Sequence, residues 1–223
     1  MINEEEEEDI TINIMTLGNS SVGKTSYIIK YTDNYFREIY LSTIGIDRKV
    51  KSIKLNNKNI KLIFHDTTGQ ERFKSLSFNI IKNADGVILM YDITNKESFE
   101  SIPEWIKNVT EAKGNDFPKI LLGNKIDKEN KRILSYEEGN KIAKDFDIDF
   151  FETSVKEGIN IDESCKALVE KILINLKNKE KKNNISLNDG RDSSLSKSKE
   201  KCCWELFNIY IFILIIINFY LNI

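Results

Sequence analysis

The octapeptide GNSSVGKT, Gly18 to Thr25, satisfies the pattern G-x-x-x-x-G-K-[ST] in full. In such a loop glycines permit a tight turn that points successive amides at phosphate oxygens, and the helix that follows adds the partial positive charge of its N-terminus. Ser20, Ser21, Val22, Gly23, Lys24, Thr25 and Ser26 are the candidate phosphate-binding residues. Lys24 is expected to reach the β and γ phosphates, and the Thr25 hydroxyl to ligate Mg²⁺. A second motif, GNKID, contributes Asn124, Lys125 and Asp127. The Asp127 carboxylate can accept two hydrogen bonds, from N1 and the 2-amino group of guanine. Adenine offers neither donor, so ATP would leave that carboxylate unpaired and be rejected. A third stretch, ETSVKEG, supplies Ser154, Val155 and Lys156, whose backbone is a candidate partner for the guanine carbonyl. Alone, GNKID also reads as a plain N-x-D turn; a phosphate loop and a second base loop in order favour guanine recognition.

The elements that must hold these residues alternate between strand and helix. Ile10 to Leu17 has period-two patterning and runs into Gly18, and a helix is expected from Ser26. Ile44 to Leu55 and Lys58 to His65 bracket NNKN, a hairpin signal. Gly86 to Tyr91 and Lys119 to Gly123 are short, continuously apolar runs of the kind found in strands covered on both faces. Helical spacing follows at Lys96 to Lys113 and Tyr136 to Asp145, then a strand at Asp149 to Glu152 and a last helix at Asn160 to Leu176. This order predicts a three-layer α/β fold: six strands, mostly parallel, one antiparallel edge strand, and helices on both faces. In such folds ligands sit beyond the carboxyl ends of the strands, which is where the three motifs fall.

Composition limits the alternatives. The chain has 223 residues, 30% of them charged, with a net charge of −2, a balance that favours no polyanion and gives no sign of nucleic-acid binding. Glu4 to Asp9 is an unbroken acidic block, and Lys177 to Lys201 is rich in Lys, Ser and Asn; both are expected to be solvated. The expected organisation is an acidic N-terminus over 1–9, one domain over 10–177, a polar linker over 178–203 and an apolar tail over 204–223. Three cysteines and no cleavable leader suggest a reducing setting, with Cys165 a small core residue of the last helix.

GNSSVGKT, STIGID, DTTGQERF, GNKID and ETSVK, in this order and at these spacings, resemble the five guanine-nucleotide motifs of the Ras superfamily, over about Ile10 to Lys177. STIGID, GQERF and YDITNKESF at Tyr91 to Phe99 resemble the Rab family, particularly its secretory branch. The resemblance implies a P-loop GTPase domain acting as a GTP-dependent switch in vesicle trafficking. It also implies a monomer on the cytosolic face of an intracellular membrane with a cytosolic pool, met at two switch regions by an exchange factor, an activating protein and effectors. By position, Thr43 should bind Mg²⁺ when the γ-phosphate is present, Asp66 should hold Mg²⁺ through water, and Phe36 should pack on the guanine ring. The Gly69 amide should touch the γ-phosphate, and Gln70 should orient the attacking water. Loss of the phosphate then releases Thr43 and Gly69 together. Intrinsic hydrolysis should be slow, because no other side chain is an evident base; Arg37 is a possible internal substitute for an activating protein's arginine and is expected to face solvent.

The chain departs from the family pattern in three places. Thr68 stands where most members have alanine; its hydroxyl either points away without effect or restricts the turn at Gly69 and slows hydrolysis. In the latter case the chain would be a GTP-binding scaffold with negligible turnover, the alternative to a hydrolysing switch. The three aromatics that Rab proteins generally present to effectors are replaced by Arg48, His65 and Ile80, so a different set of effectors is expected. His65 is the only histidine and has no companion Cys or His near it in sequence, which argues against a metal site there.

The third departure is the end of the chain. Cys202 and Cys203 are lipid-attachment candidates behind Lys197, Lys199 and Lys201, yet residues 204–223 follow them, so terminal prenylation is not open to the sequence as written. No charged residue occurs from Leu206 to Ile223; as a helix this run would span roughly 27 Å against a hydrocarbon core of about 30 Å. Three readings stay open: a membrane anchor beside palmitoylated cysteines, an extension absent from the working protein, or an interfacial helix.

Overall fold

The computed structural model describes residues 10–36, 46–67 and 81–188. Arg37, Thr43, Thr68, Gly69, Gln70, Ile80, Cys202, Cys203 and the tail, to which the sequence assigns roles, lie outside these residues. Contacts divide the chain into two units, Met1–Asn175 and Leu176–Ile223.

Six strands form one sheet: β1 (Ile10–Leu17), β2 (Ile46–Leu55), β3 (Lys58–Thr67), β4 (Gly86–Asp92), β5 (Lys119–Asn124) and β6 (Asp149–Thr153). Their order across the sheet is β2-β3-β1-β4-β5-β6. Every pairing is parallel except that of the edge strand β2 with β3, as the sequence led us to expect. Every residue of β4 and β5 is buried, because helices cover both faces of the central strands and leave no polar side of the sheet there.

Successive strand residues alternate between two core layers. On one side Met15, Leu17, Val87, Leu89, Tyr91 and Leu121 pack with Ile102, Trp105, Ile106 and Val109 of α3 (Ile102–Lys113) and Ala143 of α4 (Tyr136–Asp145). The opposite layer involves α1 (Lys24–Asp33) and α5 (Ile161–Asn188). There the hydroxyl of Tyr27 meets Ser164 at 2.9 Å and donates to the Ile161 carbonyl at 3.2 Å, fixing α1 against α5. Gly86 lets α5 approach closely: a Cβ there would stand 2.5 Å from Cδ1 of Ile172. Cys165 is fully buried in this layer, as expected of a small core residue, and burial pushes its thiol up to about 12.

Two boundaries differ from expectation. The helical stretch anticipated over Lys96 to Lys113 is two helices, α2 (Lys96–Glu100) and α3, meeting at Ser101. Pro103 lacks an N–H and its ring crowds the preceding turn, so the chain restarts with Pro in the first turn of α3. The last helix runs beyond Leu176 to Asn188, into the polar stretch. Capping is legible where the residues are local: Asn95 accepts from Ser98 N–H at α2, and Ser135 with Glu138 forms a reciprocal capping box at α4.

Candidate functional site

The phosphate loop links β1 to α1 at the carboxyl end of the sheet. Gly18 and Gly23 have φ of 142° and 111°, and Ser21 is left-handed at 63°. Gly18 is required twice over, since a Cβ would also lie 2.1 Å from the Met90 carbonyl oxygen. Lys24 is 4% exposed, and its ammonium donates to the carbonyls of Gly18 (2.8 Å) and Asn19 (2.7 Å), so the cation is suspended under the loop. The first amides of α1 open into the same turn, a combination suited to an anion. Ser20 and Ser21 are exposed, Val22 is buried, and Gly23, Thr25 and Ser26 are half-buried.

One hydrogen bond brings two distant motifs together: the Thr25 hydroxyl donates to Oδ2 of Asp66 at 2.6 Å, joining the start of α1 to the end of β3. A hydroxyl and a carboxylate side by side next to a phosphate-binding turn are hard oxygen donors of the kind Mg²⁺ takes, so the residues present fit the ion. Thr43, the third expected metal residue, lies outside the described residues.

The base loops stand beside the phosphate loop, and Asn124 joins all three motifs. It is 2% exposed; its amide donates to the Val22 carbonyl (2.8 Å), and its Oδ1 accepts from the Thr153 hydroxyl (3.2 Å) and the Val155 N–H (3.3 Å). Lys125, with φ of 75°, reaches across to the Ser21 carbonyl at 2.7 Å and pairs with Asp92 at 2.6 Å. Asp92 also accepts from the N–H and hydroxyl of Thr94, which fixes the end of β4. Asp127 is half-buried and accepts from the Ser154 hydroxyl at 2.8 Å, which itself accepts from the Glu157 N–H at 3.1 Å. Lys156 is exposed, and Phe36 is half-buried just past α1.

Three supports escaped the sequence reading. A 3-10 helix, Ile126–Lys131, carries Asp127 away from β5. Behind it Arg132 grips Glu152 of β6 through both terminal nitrogens, at 2.5 and 3.0 Å, and Glu129 through Nε, which raises its already high pKa further. Asn19 of the phosphate loop accepts from the Trp105 indole at 3.1 Å and donates to the Ser101 hydroxyl at 3.0 Å, docking the loop on α3. Arg132 and Glu152, like Asn19 and its partners Ser101 and Trp105, are far apart in sequence, and no local pattern signals these pairings.

On the β2–β3 hairpin, Arg48 and His65 are paired across the strands, Arg48 exposed and His65 half-buried. His65 Nε2 is 3.1 Å from Asn13 Oδ1. Burial, then the Arg48 cation, lowers the imidazole below its ordinary pKa.

Sequence comparison agrees with this geometry. Residues 13–174 match the Ras family. The chain is 43% identical over 165 residues to Ras-related protein Rab-10 of Diplobatis ommata, covering 74% of this chain and 82% of that one. It is 41% identical over 176 residues to Ras-related protein Rab-13 of Bos taurus, covering 79% and 87%. To Ras-related protein Rab-8B of Homo sapiens it is 40% identical over 171 residues, covering 77% and 83%. A phosphate loop, a Thr–Asp oxygen pair and a guanine-type base loop on this sheet, with likeness at that level over most of the chain, have one common source: the chain belongs to the Ras family of GTPases, in its Rab branch.

Proposed function

We propose that this chain is a Mg²⁺-dependent, GTP-hydrolysing switch of the secretory branch of the Rab family, acting in vesicle trafficking. The observation that carries the reading is Asn124, which bonds the phosphate loop and the second base loop simultaneously, so that triphosphate and base would be gripped by one connected unit. In this reading the loop amides and Lys24 bind the phosphates, Asp127 selects guanine, and Ser154, Val155 and Lys156 line the base. Thr25, Asp66 and Thr43 would hold Mg²⁺, which supplies charge neutralisation at the phosphates. Gln70 orients the attacking water and Gly69 senses the γ-phosphate. Slow intrinsic turnover, raised by an activating protein's arginine by about 10³ to 10⁵, follows from the lack of another evident catalytic side chain in the motifs.

The GTPase domain occupies residues 10–177, and membrane attachment uses lipid on Cys202 and Cys203 or the apolar run after them. Mass spectrometry of the native C-terminus separates these: prenyl groups on either cysteine remove the anchor. Nucleotide selectivity tests the site itself. A fluorescent GDP bound to the full chain should be displaced by GTP and GDP and not by ATP, and chelation of Mg²⁺ should speed its release. Equal displacement by ATP would overturn the assignment of Asp127.

A further inference from the structure

The outer face of the β2–β3 hairpin is basic around an apolar centre. Directly opposed strand residues share a face, so the pairs Arg48 with His65, Val50 with Ile63, Ser52 with Lys61 and Lys54 with Asn59 lie together. Asn13 and Thr11 of β1 continue the rows beside Ile63 and Lys61. The alternate residues turn the other way, to α1: Lys49 pairs with Asp33 at 2.9 Å, and Lys51 donates to the Tyr31 carbonyl at 2.6 Å. Val50 is 51% exposed, Ile63 is half-buried, and Arg48, Lys54 and Lys61 are exposed; Lys58, opposite Leu55, belongs to the other set. Of the hairpin's lysines between Val50 and Ile63, Lys54 and Lys61 lie on this face, and that stretch has no acidic residue; Asp85 stands beside the face, accepting from the Asn13 N–H at 2.8 Å.

We propose that the chain's own acidic block, Glu4–Asp9, docks on this face and competes there with protein partners. The block is six consecutive carboxylates, the opposite charge to the face, and it ends one residue before Ile10. Ile10 stands opposite Ile60, beside Lys61, so the block joins the sheet at the basic end of the hairpin. Reach is sufficient: six residues span up to about 20 Å, whereas the rows from Ile60 to Ile63 rise about 10 Å and neighbouring strands are about 4.8 Å apart. Exposed ion pairs are individually weak, and the tether compensates by holding the block near the face at roughly millimolar effective concentration. Occupancy is therefore electrostatic and salt-sensitive, and a partner for this face must carry enough negative or apolar surface to displace the block. The inference does not depend on nucleotide hydrolysis.

Zero-length carbodiimide crosslinking of the full chain, with the monomer isolated before peptide mapping, tests it. Amide links should join Glu4–Asp9 to Lys54 or Lys61, and their yield should fall about tenfold between roughly 0.01 M and 1 M salt as the screening length shortens. A variant with Glu4 to Glu8 changed to Gln and Asp9→Asn supplies a second readout without crosslinks. His65, the single histidine, faces Arg48 of β2 and Asn13 of β1, whose amide also donates to Asp85; Asp85 is common to both proteins, so the imidazole resonances should titrate at lower pH in the neutralised variant, because the block's carboxylates favour the imidazolium. Links scattered over Lys107, Lys141 and Lys166 on other elements, links found only between two copies, or an unchanged His65 titration would overturn the proposal.

Discussion

Asn124→Ala removes the side chain on which the three nucleotide motifs converge. The structure gives its carboxamide three protein partners: the Val22 carbonyl, the Thr153 hydroxyl and the Val155 N–H. All are buried, so truncation strands an acceptor and two donors away from water. At about 1 kcal/mol for each lost neutral hydrogen bond, the expected destabilisation is about 3 kcal/mol. Because the bonds hold the phosphate loop against the base loop, GDP affinity should fall by about 100-fold. Urea unfolding of nucleotide-free protein reads the first quantity and GDP dissociation the second. The two separate a tie within the protein from a ligand of the base. Stability of the nucleotide-free protein unchanged within about 0.5 kcal/mol, with GDP binding lost, would rule out Asn124 as a tie within the protein, since the three bonds would then contribute nothing on their own.

Other perturbations follow from the same structure. The Tyr91 hydroxyl is buried with no hydrogen-bond partner among the described residues, packed against Gly123 and Gly139, so Tyr91→Phe should stabilise the protein by about 1 kcal/mol in urea melts; a loss of that size would contradict the reading. Glu152→Gln weakens the fork with Arg132 that backs the Asp127 loop; it should cost about 1 kcal/mol, a modest figure because both groups are partly exposed, and should speed GDP release. Thr68→Ala should raise the single-turnover GTPase rate if the hydroxyl restrains the turn at Gly69; an unchanged rate removes Thr68 as a brake.

Much of the fold was legible because its signals are local. The continuous apolar runs of β4 and β5 announce strands covered on both sides, and NNKN between two patterned runs announces the one antiparallel pair. The phosphate loop could be read from eight residues, since its geometry requires glycine at Gly18 and Gly23. The break at Ser101 was missed although Pro103 was visible, because the periodicity on either side continues through it. What holds the site together was not legible at all. The Trp105 bond to Asn19, the Lys125 bridge from Asp92 to Ser21 and the Arg132 fork join residues brought near only by the folded sheet. Sequence names the residue types a nucleotide needs; tertiary packing decides which polar groups already have partners.

As proposed, this site binds guanine nucleotide and cleaves its terminal phosphate with Mg²⁺. Phosphate release from the full chain preloaded with GTP, followed through a single turnover after adding Mg²⁺, tests it most directly. One phosphate per bound nucleotide, released slowly and faster with a Rab-family activating protein, is the predicted result. Stable retention of intact GTP under both conditions would contradict it and leave a binding scaffold in its place.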